Sequence, residues 1–126
     1  MRAGATERTV AIVDDDQAVR DSLRLLLELA GQSVESFASA ADFLSAPDRK
    51  SECLILDHHM PGMTGLELAA KLRADGNFIP ILLITGSPSP AIAARAAELG
   101  IEGLLEKPPG EADLLGFITG ASCIER

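Results

Sequence analysis

A chain of 126 residues, 47% of them hydrophobic, is long enough to bury one core and reads as a single domain. Its formal charge of −8 leaves no basic patch for nucleic acid and equally disfavours an anionic membrane surface. No apolar run approaches the ~18 residues of a membrane span, and aromatics at only 3% leave the core to Leu, Ile, Val and Ala.

Residues 1–8 lack the apolar segment of a signal peptide and are expected to form a disordered tail. Thr9 to Val13 predicts a first strand, which stops at Asp14-Asp15-Asp16. The following helix carries Val19, Leu23, Leu26, Leu27 and Ala30 on one face. Asp16 is its N-cap, and Gly31 closes it in the left-handed position. Ser33 to Phe37 interleaves polar and apolar residues, as suits a strand at a sheet edge. Ser39 caps a short helix through Leu44, ended by Pro47.

Cys53 to Leu56 is an apolar run without alternation, the pattern of a strand buried on both faces, and it ends on Asp57. Met60-Pro61-Gly62 turns the chain, and Thr64 with Glu67 forms a capping box for a helix to Ala74. Leu68, Ala69 and Leu72 face inward, and Gly76 lies just beyond. Pro80 to Ile84 is a fourth strand, again apolar on both faces, and it ends at Thr85. Ser89-Pro90 opens an Ala-rich helix to Leu99, stopped by Gly100. Gly103 to Leu105 is a short fifth strand before Glu106-Lys107-Pro108. A last helix runs from about Glu111 to Ala121, interrupted by Gly116 and Gly120. Residues 9–122 then form the domain and 123–126 a C-terminal tail, with nothing left for a second domain. The two cysteines, Cys53 and Cys123, suggest neither a disulfide framework nor a metal knuckle, which suits a reducing cytoplasm.

Five strands alternating with five helices predict an α/β, flavodoxin-like doubly wound fold. The sheet is parallel, with the two most apolar strands central and the second at an edge, which suits the order 2-1-3-4-5. In that order the ends of four strands converge on one crevice, bringing Asp14, Asp15, Asp57, Thr85 and Lys107 together. Taken alone, Asp57 reads equally well as a strand-ending acid that caps a loop. As a set the residues point to chemistry. Crowded carboxylates repel unless a cation joins them, and oxygen ligands in an open site suit Mg²⁺. A carboxylate is already a nucleophile at neutral pH, so Asp57 beside such an ion could accept a phosphoryl group as an acyl phosphate.

The motifs Ile-Val-Asp-Asp-Asp at 12–16, Leu-Asp-His-His-Met-Pro-Gly-Met-Thr-Gly at 56–65, Ile-Thr-Gly at 84–86 and Glu-Lys-Pro at 106–108 resemble those of bacterial two-component response regulators. The likeness is to their CheY-like receiver domain, and it covers the chain from about Thr9 to Ala121. It implies that Asp57 is the phosphoacceptor, Asp15 a direct Mg²⁺ ligand and Asp14 a ligand largely through a metal-bound water. It makes the backbone carbonyl of His59 a further ligand, Thr85 the switch hydroxyl and Lys107 the ion-pair partner. It implies a cis Lys107-Pro108 bond. The donor would be a phosphohistidine on a sensor histidine kinase or phosphotransfer protein, and the domain would catalyse only its own phosphorylation and dephosphorylation. The face built from the fourth helix, fifth strand and fifth helix would meet an output protein or a second copy.

Leu104 stands where the family commonly has Tyr or Phe as a switch ring, and Pro109 follows Lys-Pro where an aromatic is frequent. Adjacent His58 and His59 are expected not to converge as a metal pair, although His59 and Ser87 occupy positions able to tune phosphate lifetime. Glu106, Arg95 and Glu98 read as solvated charges. Two other functions stay open. A constitutive interaction module would keep the acid site as a vestige, and an Mg²⁺-dependent phosphohydrolase would need a second acid where His59 stands.

Overall fold

The computed structural model describes residues 9–46 and 51–119. The elements run β1 (Thr9–Val13), α1 (Gln17–Leu29), β2 (Ser33–Phe37), α2 (Ala40–Ser45), β3 (Cys53–Asp57), α3 (Gly65–Ala74), β4 (Ile81–Thr85), α4 (Pro90–Glu98), β5 (Gly103–Glu106) and α5 (Glu111–Thr119). Pro47, Gly120, Ala121, Cys123 and both tails lie outside the described residues. The strands form one parallel sheet in the order β2-β1-β3-β4-β5. The predicted fold class and strand order therefore hold, with β2 at an edge.

Alternation along each strand splits the core in two. Ala11, Val13, Leu54, Leu56, Ile81 and Leu83 face Phe43 of α2 and Leu68 and Leu72 of α3. Val10, Ile12, Cys53, Ile55, Leu82 and Ile84 face Leu23 and Leu27 of α1 and Leu114 and Ile118 of α5. All five residues of β3 and of β4 are buried, as a sheet covered on both sides demands. Among the described residues, no helix is long and apolar enough to cross a membrane.

The helix starts follow the caps read from the sequence. Asp16 accepts from the Ala18 N–H, Ser39 from Asp42 and Ser89 from Ile92. Thr64 and Glu67 close a reciprocal capping box. Thr64 is thus the cap, and α3 itself begins at Gly65. Gly31 has φ 93°, the left-handed value that ends α1.

Two boundaries differ in a way that matters for the site. Pro80 has no N–H for the ladder and lies outside β4, contributing only its carbonyl, which accepts from Leu54 N–H at 2.9 Å. At the other end, Asp57 and Thr85 belong to the strands rather than to the loops after them. Asp57 pairs with Ile84 and Thr85 with Glu106, so both side chains are carried on the last rung of the sheet.

Candidate functional site

The carboxyl ends of β1, β3, β4 and β5 build the site. Asp57, Asp14 and Thr85 are almost wholly buried, at 3%, 2% and 0% exposure. Lys107 follows β5, and its backbone N–H donates to the Thr85 carbonyl at 2.9 Å. Its Nζ lies 3.0 Å from Asp14 Oδ2 and 3.2 Å from Asp57 Oδ1, bridging the two acids. The Lys107-Pro108 bond is cis. Asp15 is exposed at the rim. Asp14, Asp15 and Asp57 each place a carboxylate oxygen within 4.8 Å of the others.

The scaffold around these groups is tight. Asp14 Oδ1 accepts from the Asp16 N–H at 2.9 Å, and the Asp14 carbonyl accepts from Arg20 Nη1 at 2.7 Å. His58 N–H donates to Ile84 O at 2.9 Å, and the Gly65 N–H donates to His58 O at 3.0 Å. This draws the start of α3 against the end of β3. A Cβ on Gly65 would lie 2.5 Å from Asp57 O and 2.9 Å from His58 Cα, so only glycine fits there. Thr85 Oγ1 lies 3.0 Å from His59 Nε2 and accepts the Ser87 N–H at 3.0 Å.

Charge balance explains the electrostatics. Burial raises the pKa of Asp57, and the neighbouring charge of Asp14 raises it further. Hydrogen bonding and charge from Lys107, together with the His59 backbone N–H, pull the other way without prevailing. Burial pushes the Lys107 pKa down, but its bonds and charge contacts with Asp14 and then Asp57 outweigh that and raise it. One ammonium thus serves two buried acids with a third at the rim. The excess negative charge and the all-oxygen donor set fit a hard divalent cation such as Mg²⁺.

The structure gathers Asp14, Asp15, Asp57, Thr85 and Lys107 at one crevice, and His59 reaches it through its ring, beside Thr85. Asp16 is a cap, Glu106 is exposed, and Arg95 and Glu98 pair with each other at 3.0 Å on the α4 surface. Leu104 is half-buried against the core on the α3 and α4 side. The rings of His58 and His59 touch edge to face at 4.8 Å, a ring contact rather than the metal pair the sequence reading set aside. The cluster with metal-ligating geometry among the described residues is the acidic trio. Burial, then His59, lowers the pKa of His58, whose Nδ1 is buried without a hydrogen-bond partner.

Sequence reasoning missed three contributors: the Arg20 bond to the Asp14 carbonyl, the close approach at Gly65 and the His59–Thr85 bond. Arg20 had a signal, because it stands one helical turn after the cap Asp16 and so faces back toward the same loop. The other two depend on how strands and loops stack in space, which local sequence does not state.

Comparison with known proteins gives a consistent result. Residues 10–119 match the family model described as the response regulator receiver domain. The transcriptional regulatory protein FixJ of Bradyrhizobium diazoefficiens is 38% identical over 117 residues, which are 92% of this chain and 57% of that protein. The response regulator protein TodT of Pseudomonas putida is 41% identical over 113 residues, covering 89% of this chain and 50% of that protein. The crystal structure of the chemotaxis protein CheY4 of Vibrio cholerae superposes with a TM-score of 0.79 at 31% identity, covering 86% of this chain and 93% of that one. The chain thus spans about half the length of FixJ and TodT and nearly all of CheY4. With the motifs, the sheet order and the acidic crevice in agreement, the chain belongs to the response regulator receiver domain family.

Proposed function

We propose that this domain is a phosphorylation-operated switch in which Asp57 accepts a phosphoryl group from a phosphohistidine. The donor would sit on a sensor histidine kinase or phosphotransfer protein. The observation that carries this reading is the bridge of Lys107 between Asp14 and Asp57, with three carboxylate oxygens gathered beside it.

In the transfer, an Asp57 carboxylate oxygen attacks phosphorus as the bond from phosphorus to the donor imidazole nitrogen breaks. The imidazole keeps the electron pair and takes up a proton, and Asp57 becomes an acyl phosphate. No general base is needed, because a carboxylate has no proton to lose before it attacks. Lys107, now held by Asp14 and Asp57, is placed to pair with the arriving phosphoryl oxygens. Asp14, Asp15, Asp57 and the backbone carbonyl of His59 would hold Mg²⁺. When bound, that ion neutralises charge on the acids and on the phosphoryl oxygens. Thr85 donates its hydroxyl proton to a phosphoryl oxygen, and Leu104 fills the space that Thr85 leaves.

The domain acts on itself rather than turning over a separate substrate. Its altered α4-β5-α5 face would meet an output protein or a second copy. The likeness to FixJ, a transcriptional regulatory protein, supports an output in gene control, carried by a further segment or a partner. Residues 9–122 would be the switching unit, flanked by the tails 1–8 and 123–126. The buried Cys53 thiol and the net charge fit a cytoplasmic setting. Intact mass after treatment with acetyl phosphate and Mg²⁺ tests the reading. One phosphoryl group is expected on the parent and none on Asp57→Asn; equal uptake by both contradicts it.

A further inference from the structure

The hydroxyl of Thr85 already has an employer. Thr85 is fully buried, and its Oγ1 has two hydrogen-bond partners, the Ser87 N–H and His59 Nε2, each at 3.0 Å. A threonine hydroxyl carries one proton and two acceptor lone pairs. The Ser87 N–H can only donate, so it uses a lone pair. If His59 Nε2 also donated, the proton of the fully buried Thr85 would be left with no acceptor, which is the costly arrangement. Proton counting therefore makes Thr85 the donor and His59 Nε2 the acceptor. The other imidazole nitrogen then carries the ring hydrogen, and because His59 is exposed, water can satisfy it.

A phosphoryl oxygen is also an acceptor only. Thr85 has a single proton, so it cannot serve His59 and a phosphoryl group together. We infer that His59 is a positioning residue that latches the Thr85 hydroxyl in the resting domain by accepting its proton, so that Asp57 phosphorylation must end this donation. The inference rests on the receiver reading and adds to it a brake specific to this imidazole. It acts before any phosphate is present, through the hydroxyl rather than on attacking water.

Two measurements test it. Long-range ¹H–¹⁵N correlation of the untreated protein, at a pH where the ring is neutral, is expected to show His59 Nε2 without a proton. A protonated Nε2 overturns the latch. The second is the affinity for beryllofluoride, a phosphoryl mimic, in saturating Mg²⁺. His59→Ala is expected to bind it tighter than the parent by roughly 2- to 12-fold, the range set by one neutral hydrogen bond. His59→Gln, which restores an acceptor, should return toward the parent value. In a Thr85→Val background the effect of His59→Ala should vanish, since the hydroxyl it acts through is gone. Unchanged affinity in His59→Ala, or the same gain in both backgrounds, overturns the latch while leaving the receiver reading intact. A parent that binds no beryllofluoride overturns the receiver reading and the latch with it.

Discussion

Asp57 is the residue on which chemistry and stability meet. Burial and Asp14 raise its pKa, so the charged carboxylate costs the fold stability. That cost is absent below the ordinary value of 3.8 and complete once pH has risen past the raised pKa. Asp57→Asn removes it. The variant should therefore be more stable than the parent at pH 7, and the gain should fade as pH falls through the raised pKa toward 3.8. Thermal unfolding of both proteins across that range checks the sign. Gly65 gives a second prediction. A methyl group there would press on the Asp57 carbonyl at 2.5 Å, backbone that cannot swing aside. Gly65→Ala should cost about 1–3 kcal/mol in denaturant unfolding, the usual penalty for overpacking, and should also slow phosphoryl uptake by displacing the end of β3. The acids, the hydroxyl and the lysine were legible in the sequence because each ends or directly follows a strand, and strand ends can be found from apolar runs. Gly65 and the His59–Thr85 bond were not, because each joins two segments whose closeness only the folded sheet creates.

At the scale of elements, the caps and apolar runs specified most boundaries. Ser39, Thr64 and Ser89 each satisfy a first-turn N–H of the helix that follows, and the continuous apolar strands found the sheet centre. What local pattern could not show is how helices are tied together at the opposite end of the sheet. Arg73, near the end of α3, donates to Leu99 O at 2.7 Å, Ile79 O at 2.8 Å, Asn77 O at 3.1 Å and Gly100 O at 3.3 Å. Burial lowers its pKa, and Glu102 opposes that. One guanidinium thus joins the end of α3, the approach to β4 and the end of α4. Arg73→Met should cost about 2–3 kcal/mol, since it keeps the aliphatic stem but strands carbonyls that a charged donor had satisfied. Equilibrium urea unfolding with an unchanged m-value is the check. Phosphoryl uptake should survive, because the contact lies away from the acid crevice.

For the whole molecule, stability should depend on a cation. Three acids gather beside a lysine that pairs with two of them, so Mg²⁺ that binds the folded site and not the unfolded chain must stabilise the domain. At a Mg²⁺ concentration 100 times its Kd the gain should be about 2.7 kcal/mol. It should be largely lost in Asp15→Asn, whose exposed carboxylate has little part in packing. An equal gain in parent and variant would place the ion elsewhere. The sheet order was readable because parallel crossovers and strand hydrophobicity leave few arrangements. The output was not readable, since a surface records its partner less plainly than a crevice records its chemistry.

The most direct measurement is peptide mapping after borohydride reduction of protein treated with acetyl phosphate, because reduction turns a phosphorylated aspartate into homoserine. Homoserine at Asp57 alone, dependent on Mg²⁺ and absent when the metal is chelated, is the predicted result. Homoserine at Asp14 or Asp15, or none at any of the three, would contradict the account.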